Sequence, residues 1–274
     1  MASRVLSLLL AGILAVPSHQ ASAAAPHLPE SPAPPGLSRG PSEVTPEMRT
    51  WLRSKKIARA PSATRLRLLA KALIDHFELH RHEEEPFETV SASRAFEAGR
   101  GNCVSFAFLF VSLAREVGEP VFFVLSEAPE GNESFGDLLV TNFHLAAATG
   151  TPARLTVFDL AGRSSQPTRP FRPISDRTAD AIFQSNQGSE LLIQDRLTDA
   201  LRLFDSALVL DPALPFTWTN RGVALRRLGD LGKAEASYRQ AIDLRPEALA
   251  AWKNLALLLG QRLQEQQTSL RIPR

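Results

Sequence analysis

The sequence predicts an α+β domain followed by an all-α array of helix pairs, and three observations carry that expectation. A run that is apolar nearly all round begins at Cys103 and stops at Gly118-Glu119-Pro120, the pattern of a helix buried on most sides. Short β-type runs at 121–125, 138–147 and 155–160 follow it, so strands come directly after a central helix. Further on, Gly188 recurs as Gly222, Ala200 as Ala234, Ala207 as Ala241 and Pro212 as Pro246, each 34 residues apart, a spacing that suits one helix pair per period.

The chain opens with a short basic start, Met1-Ala2-Ser3-Arg4, and an uncharged apolar core from Val5 to Val16. Ala21-Ser22-Ala23-Ala24-Ala25 then supply the small residues of an A-x-A type cleavage site, so residues 1–24 read as a signal peptide. The apolar stretch is shorter than the roughly 18 to 20 residues of a membrane span. The expectation is an exported protein, periplasmic or secreted, with no stable membrane span after cleavage; an uncleaved anchor is the alternative. Prolines at 26, 29, 32, 34, 35 and 41 make 25–44 an extended linker.

Thr45-Pro46-Glu47 gives an N-cap, a proline at the first helical position and an acid in the first turn, which opens a short helix. An amphipathic helix follows from Ser62 to about His80, with Leu66, Leu68, Leu69, Ala72, Leu73 and Phe77 as its expected buried side. His76, His80 and His82 stand beside Glu83-Glu84-Glu85, but the stretch is not H-E-x-x-H and lacks a third ligand, so neither metal nor cofactor is expected. Arg49, Arg53, Lys55, Lys56, Arg59, Arg65, Arg67 and Lys71 carry no interleaved aromatics, and the net charge is only +2. They read as solvated helix faces, and nucleic acid is not an expected partner.

Ser91 to Ala98 forms a helix that Gly99 and Gly101 break, and the buried helix starts at Cys103. Cys103 is the only cysteine, so it forms no internal disulfide and is either a buried small hydrophobe or a working thiol. At a helix N-terminus the free N–H groups and the macrodipole favour thiolate over thiol. Thr149-Gly150-Thr151-Pro152 is a turn between the second and third strands. A hairpin symmetric about Thr151 and Pro152 sets His144 opposite Asp159, a carboxylate placed to fix the imidazole tautomer. Residues 166–178, rich in proline and arginine, read as an interdomain connection without chemistry.

Gly101-Asn102-Cys103, the helix after it, Arg115 and Gly118 near its end, Val121-Phe122, and then His144 and Asp159 on successive strands resemble the bacterial transglutaminase-like superfamily over roughly residues 62–165. The resemblance implies a papain-like α+β fold for 45–178. It also implies acyl transfer on amides, in which Cys103 attacks the carbonyl, His144 carries the proton and Asp159 holds His144.

The later region is similar to tetratricopeptide repeats, with full repeats at 181–214 and 215–248 and a capping helix at 249–265. Two repeats are fewer than the roughly three that stand alone, so the array is expected to lean on the preceding domain. By repeat position its concave face carries Thr219, Val223, Arg226, Arg227, Lys253 and Leu257, a groove for a protein or peptide partner, although surface charge without a binding role is the alternative. Two functions stay open. One is an exported thiol acyl-transfer enzyme (protease, amidase or transglutaminase) whose repeats bind protein. The other is a catalytically inactive scaffold of the same architecture.

Overall fold

The structure is a computed structural model that describes residues 40–77, 88–127, 131–135, 138–151, 154–160 and 170–271. The expected signal peptide, most of the proline-rich linker, and His80, His82 and the acids beside them lie outside the described residues.

Helix α1 (Pro46–Ser54) starts where Thr45 caps it, the hydroxyl accepting from the Met48 N–H at 3.3 Å. Helices α2 (Ser62–Phe77) and α3 (Ala92–Ala98) follow, and α3 ends at Gly99, whose φ of 66° favours glycine. Helix α2 buries Leu66, Leu69, Leu73 and Phe77, whereas Leu68, expected on the same side, turns outward and is exposed. Helix α4 (Cys103–Glu116) buries every residue from Val104 to Ala114, because α3, the strand Leu145–Thr151 and other elements cover it on several sides. Its all-round apolar sequence and its central place are one fact.

Strands β1 (Phe122–Ser126), β4 (Leu145–Thr151), β5 (Arg154–Phe158) and β6 (Phe171–Ile174) form an antiparallel sheet in the order β5-β4-β1-β6. Leu145 to Ala148 are all buried since both faces of β4 are covered, one by α4 and the other by an apolar layer with Val124, Leu155, Val157 and Phe171. The run expected as one strand over 138–147 is two. Strand β3 (Leu138–Asn142) pairs with β2 (Gly131–Phe135) in a separate ribbon, and the chain joins the main sheet only after His144. The expected connection at 166–178 also contains β6, which pairs with β1 in the register Phe123 to Ile174. Pro173 is tolerated there because β6 is an edge strand.

The helical region pairs α5 (Asp176–Ile193) with α6 (Leu197–Leu210) and α7 (Pro215–Arg227) with α8 (Leu231–Leu244), and α9 (Leu249–Arg271) packs on the second pair. Helix α5 begins ahead of residue 181 because Ser175 caps it, accepting from the Thr178 N–H at 3.0 Å. The 34-residue period has a physical basis at its recurring glycines and tryptophans. Gly188 lies under the Phe204 ring and Gly222 under the Tyr238 ring. Trp218 and Trp252 each donate at 2.8 Å to the carbonyl of the proline six residues before, Pro212 and Pro246. Among the described residues no helix is long and apolar enough to cross a membrane.

The array does lean on the first domain. Phe183 of α5 meets Phe108 of α4 edge-on at 5.3 Å, and Arg115 clamps Asp176 with two bonds of 2.7 and 2.9 Å. Hydrogen bonding to the guanidinium holds the Asp176 carboxyl below its ordinary range. A depressed carboxylate contributes stability above its unfolded pKa of about 3.9 and loses it as pH falls through the lower folded value. A carboxyl-carbon NMR titration should therefore find the Asp176 midpoint below about 3.9 and find it higher in Arg115→Ala.

Candidate active site

Cys103 is the first residue of α4 and is half-buried. Asn102 caps the helix in an extended conformation, its Oδ1 accepting from the Ser105 N–H at 3.1 Å. Gly101 brings the chain in close, for a Cβ at that position would lie 2.6 Å from the Ser105 Cβ. Ser105 is itself fixed by the Val90 N–H, which donates to its hydroxyl at 2.8 Å. The thiol thus sits on a rigid corner, with the N–H groups of the first turn lacking intrahelical acceptors beside it.

His144 lies in the break between β3 and β4 and is 1% exposed. Its backbone is pinned to the end of β1: its N–H donates to Ser126 Oγ at 2.9 Å, and its carbonyl accepts from the Ser126 N–H at 2.9 Å. Asp159 follows directly after β5, and its Oδ2 is 3.0 Å from His144 Nε2. The hairpin register differs from the expected one: Ala147 pairs with Phe158 and Thr151 with Arg154, which moves the centre of the turn to 152/153. That shift displaces the pairing by two residues, so His144 and Asp159 stay on one face as diagonal neighbours instead of direct opposites.

Burial acts to lower the His144 pKa, but hydrogen bonds and charge from Asp159 and Cys103 outweigh it and raise the imidazole to about 10. With Nε2 directed at Asp159, the other ring nitrogen is the one left for Cys103. The rings of His144 and Phe171, on β6, meet edge to face with centroids 6.3 Å apart, so the segment expected to carry no chemistry helps wall the site. Cys103, His144 and Asp159 therefore come together from a helix start, a strand break and a strand end. That arrangement sets a thiol-bearing side chain beside a buried imidazole that a carboxylate anchors.

The match to known families accords with this geometry, because residues 53–161 fit the family model of the transglutaminase-like superfamily. Residues 53–161 are a transglutaminase-like domain. Residues 215–247 fit the tetratricopeptide repeat model, so a repeat region follows the transglutaminase-like domain in the same chain. No curated protein matches the chain.

The six residues expected on the concave face have different environments. Lys253 and Leu257 are exposed and Arg226 is half-buried. Arg227 donates to the Leu192 carbonyl at 3.3 Å. Thr219 is buried, bonds the Pro215 carbonyl at 3.0 Å and lines a small cavity with Phe143, Phe216 and Arg245. Val223 is fully buried in the repeat core, where it offers no groove surface. Helices α7 and α9 both pack against β3, so the chain's own ribbon lies against this side of the array.

Among the described residues no group of three or more His, Cys, Asp or Glu side chains is arranged to hold a metal. His76 instead packs among the rings of Trp51, Phe77 and Phe96, and burial followed by the charge of Lys55 lowers its pKa. Sequence reasoning missed Ser126, Phe171 and the capping role of Asn102. An asparagine directly before a buried helix, three residues ahead of a serine, is the cap signal that was available for Asn102.

Proposed function

We propose that this protein is an exported thiol acyl-transfer enzyme that acts on amide bonds, as a protease, amidase or transglutaminase, and uses its repeats to bind protein. The observation that carries the reading is the buried His144, whose Nε2 lies 3.0 Å from Asp159 Oδ2 and whose pKa is raised by Asp159 and Cys103 together. A buried imidazole held protonated beside a sulfur favours a thiolate-imidazolium pair. The Cys103 sulfur forms a bond to the amide carbonyl carbon, and the carbonyl electrons move onto oxygen, where N–H groups of the first turn of α4 are available as donors. His144 gives its proton to the departing amine as the C–N bond breaks and a thioester forms. Water or a second amine then attacks the thioester, its proton passes to His144, and the sulfur leaves as thiolate. Asp159 keeps the ring oriented throughout.

Export follows from the leader at 1–24, and the N-terminus of protein recovered outside the cytoplasm is expected at Ala25. Protein binding follows from the repeat architecture, whose stacked helices are interaction surfaces.

The test is the rate at which iodoacetamide alkylates the full-length protein. At about pH 6.5 a free thiol of pKa about 8.5 is roughly 1% thiolate, so Cys103 is expected to react at least about tenfold faster than free cysteine. His144→Ala should remove that advantage. Slow alkylation that His144→Ala leaves unchanged would sink the enzyme reading and favour the inactive scaffold.

A further inference from the structure

Thr89 is 2% exposed and joins two distant parts of the chain. Its backbone N–H and its hydroxyl both donate to Glu190 Oε1 of α5, at 2.7 and 2.5 Å. The same hydroxyl oxygen accepts from Asn102 Nδ2 at 2.6 Å and from Asn186 Nδ2 of α5 at 2.9 Å, while the Thr89 carbonyl accepts from Gln187 Nε2 at 3.1 Å. The directions are fixed by chemistry, since a carboxylate only accepts and a hydroxyl that has given its one proton to Glu190 can only accept from the two amides. With Nδ2 committed to Thr89, the Asn102 amide must turn Oδ1 toward the Ser105 N–H. That is the cap of the helix whose first residue is Cys103.

The repeat period explains why α5 reaches this loop. Asn220, one period after Asn186, donates at 2.9 Å to Ser189 on the first helix of the preceding pair. Asn186 has no preceding pair and reaches Thr89 instead, so the loop before α3 fills the place of an earlier repeat. Burial pushes the Glu190 carboxyl up, the bonds from Thr89 act against it, and the charge of Glu88 adds to the rise. A carboxylate kept there at a desolvation cost satisfies donors that an apolar residue would leave unpaired.

We propose that Glu190 and Asn186, on the first repeat helix, are positioning residues for Cys103, acting through Thr89 on the Asn102 cap so that seating of the repeats aligns the thiol with His144. The proposal rests on the reading of Cys103 as a nucleophile. Neither residue touches the reacting atoms. The repeats on this account are part of the active-site scaffold as well as a protein-binding module, and a partner that shifts α5 acts on the thiol.

The experiment uses the full chain and two readouts: the iodoacetamide rate at Cys103, and the midpoint of the His144 imidazole titration by NMR. Glu190→Ala is expected to slow alkylation about tenfold, a change equal to about one pKa unit in the thiol-imidazole couple. It should also lower the His144 midpoint from about 10. Glu190→Gln, which keeps an acceptor for Thr89, should recover most of both. In parallel, Thr89→Ser, which keeps the hydroxyl, should recover most of the loss produced by Thr89→Val. Asn186→Ala provides a milder probe should Glu190→Ala fail to fold. Folded alanine variants with the wild-type rate and midpoint would overturn the proposal, as would losses that the conservative variants do not recover. Slow alkylation of the wild type would instead overturn the nucleophile reading, and the midpoint alone would then decide the positioning role.

Discussion

Under the proposed acyl-transfer activity, Asp159→Asn is expected to lower turnover by about 10⁴-fold, the scale known for a carboxylate-to-amide change behind a catalytic histidine. The substitution keeps the shape of the side chain and removes its charge. Of the influences on His144, burial is the largest and acts to lower its pKa, and Asp159 supplies both a hydrogen bond and a charge against it. With the carboxylate gone, the imidazole should titrate well below its present value of about 10. The asparagine amide can also donate to the ring, which favours the wrong tautomer for meeting the thiol. The sign for stability follows from the same shift. A histidine raised above its unfolded value of about 6.5 contributes stability that is fully present below that pH and is lost as pH rises through about 10. In wild-type protein that contribution should decline only in the alkaline range, whereas in Asp159→Asn it should decline at lower pH. NMR titration of the His144 ring, with unfolding measured at about pH 7 and about pH 9, checks both consequences. An unchanged midpoint in the variant would mean that Asp159 does not govern the imidazole.

Much of this architecture was legible in the sequence because its signals are local or periodic. The helix from Cys103 announces its burial by being apolar on all sides. The repeats announce theirs through Gly188 and Gly222, which sit against Phe204 and Tyr238 one period apart. What escaped notice depends on partners far along the chain. Phe171-Arg172-Pro173-Ile174 has no strand pattern of its own and becomes β6 by pairing with β1. The run over 138–147 reads as one strand because nothing in its composition marks the change of sheet at Phe143 and His144. The relation of His144 to Asp159 was legible as an equal distance from the expected turn, while the two-residue difference in register came from a turn centred one residue later than expected. Thr89 offered no signal at all, since its partners on α5 lie about a hundred positions away. Val223 was placed in the groove by repeat position, but its neighbour Gly222 already faces the second helix of the pair, and Val223 turns into the same core.

Gly222→Val is expected to destabilise the repeat region by about 3 kcal/mol, the upper part of the range for overpacking a tight core. A Cβ on Gly222 would lie 2.5 Å from Tyr238 Cε1 and 2.7 Å from Cδ1, far inside contact distance. Tyr238 is fully buried, so its ring has no solvent to swing into, and the collision must be relieved by separating α7 from α8. Helix propensity does not rescue the variant, because valine is only modestly better than glycine in a helix. Two comparisons separate the collision from any general effect of losing a glycine. Gly260 also lies within a helix, α9, and has nothing within 4 Å of its would-be Cβ. Gly260→Ala should therefore stabilise by up to about 1 kcal/mol through propensity alone. Gly222→Ala combined with Tyr238→Leu, which removes the ring edge nearest the new methyl, should be less destabilised than the sum of its single variants. Denaturant unfolding followed by helix circular dichroism measures all of these. A Gly222→Val protein as stable as wild type would show that α7 and α8 are not packed through that contact. Because α5 and α7 belong to one stacked array and α5 holds Thr89, the same variant should also slow alkylation of Cys103 if separation of α7 and α8 spreads to α5, and an unchanged rate would localise the damage to the second helix pair.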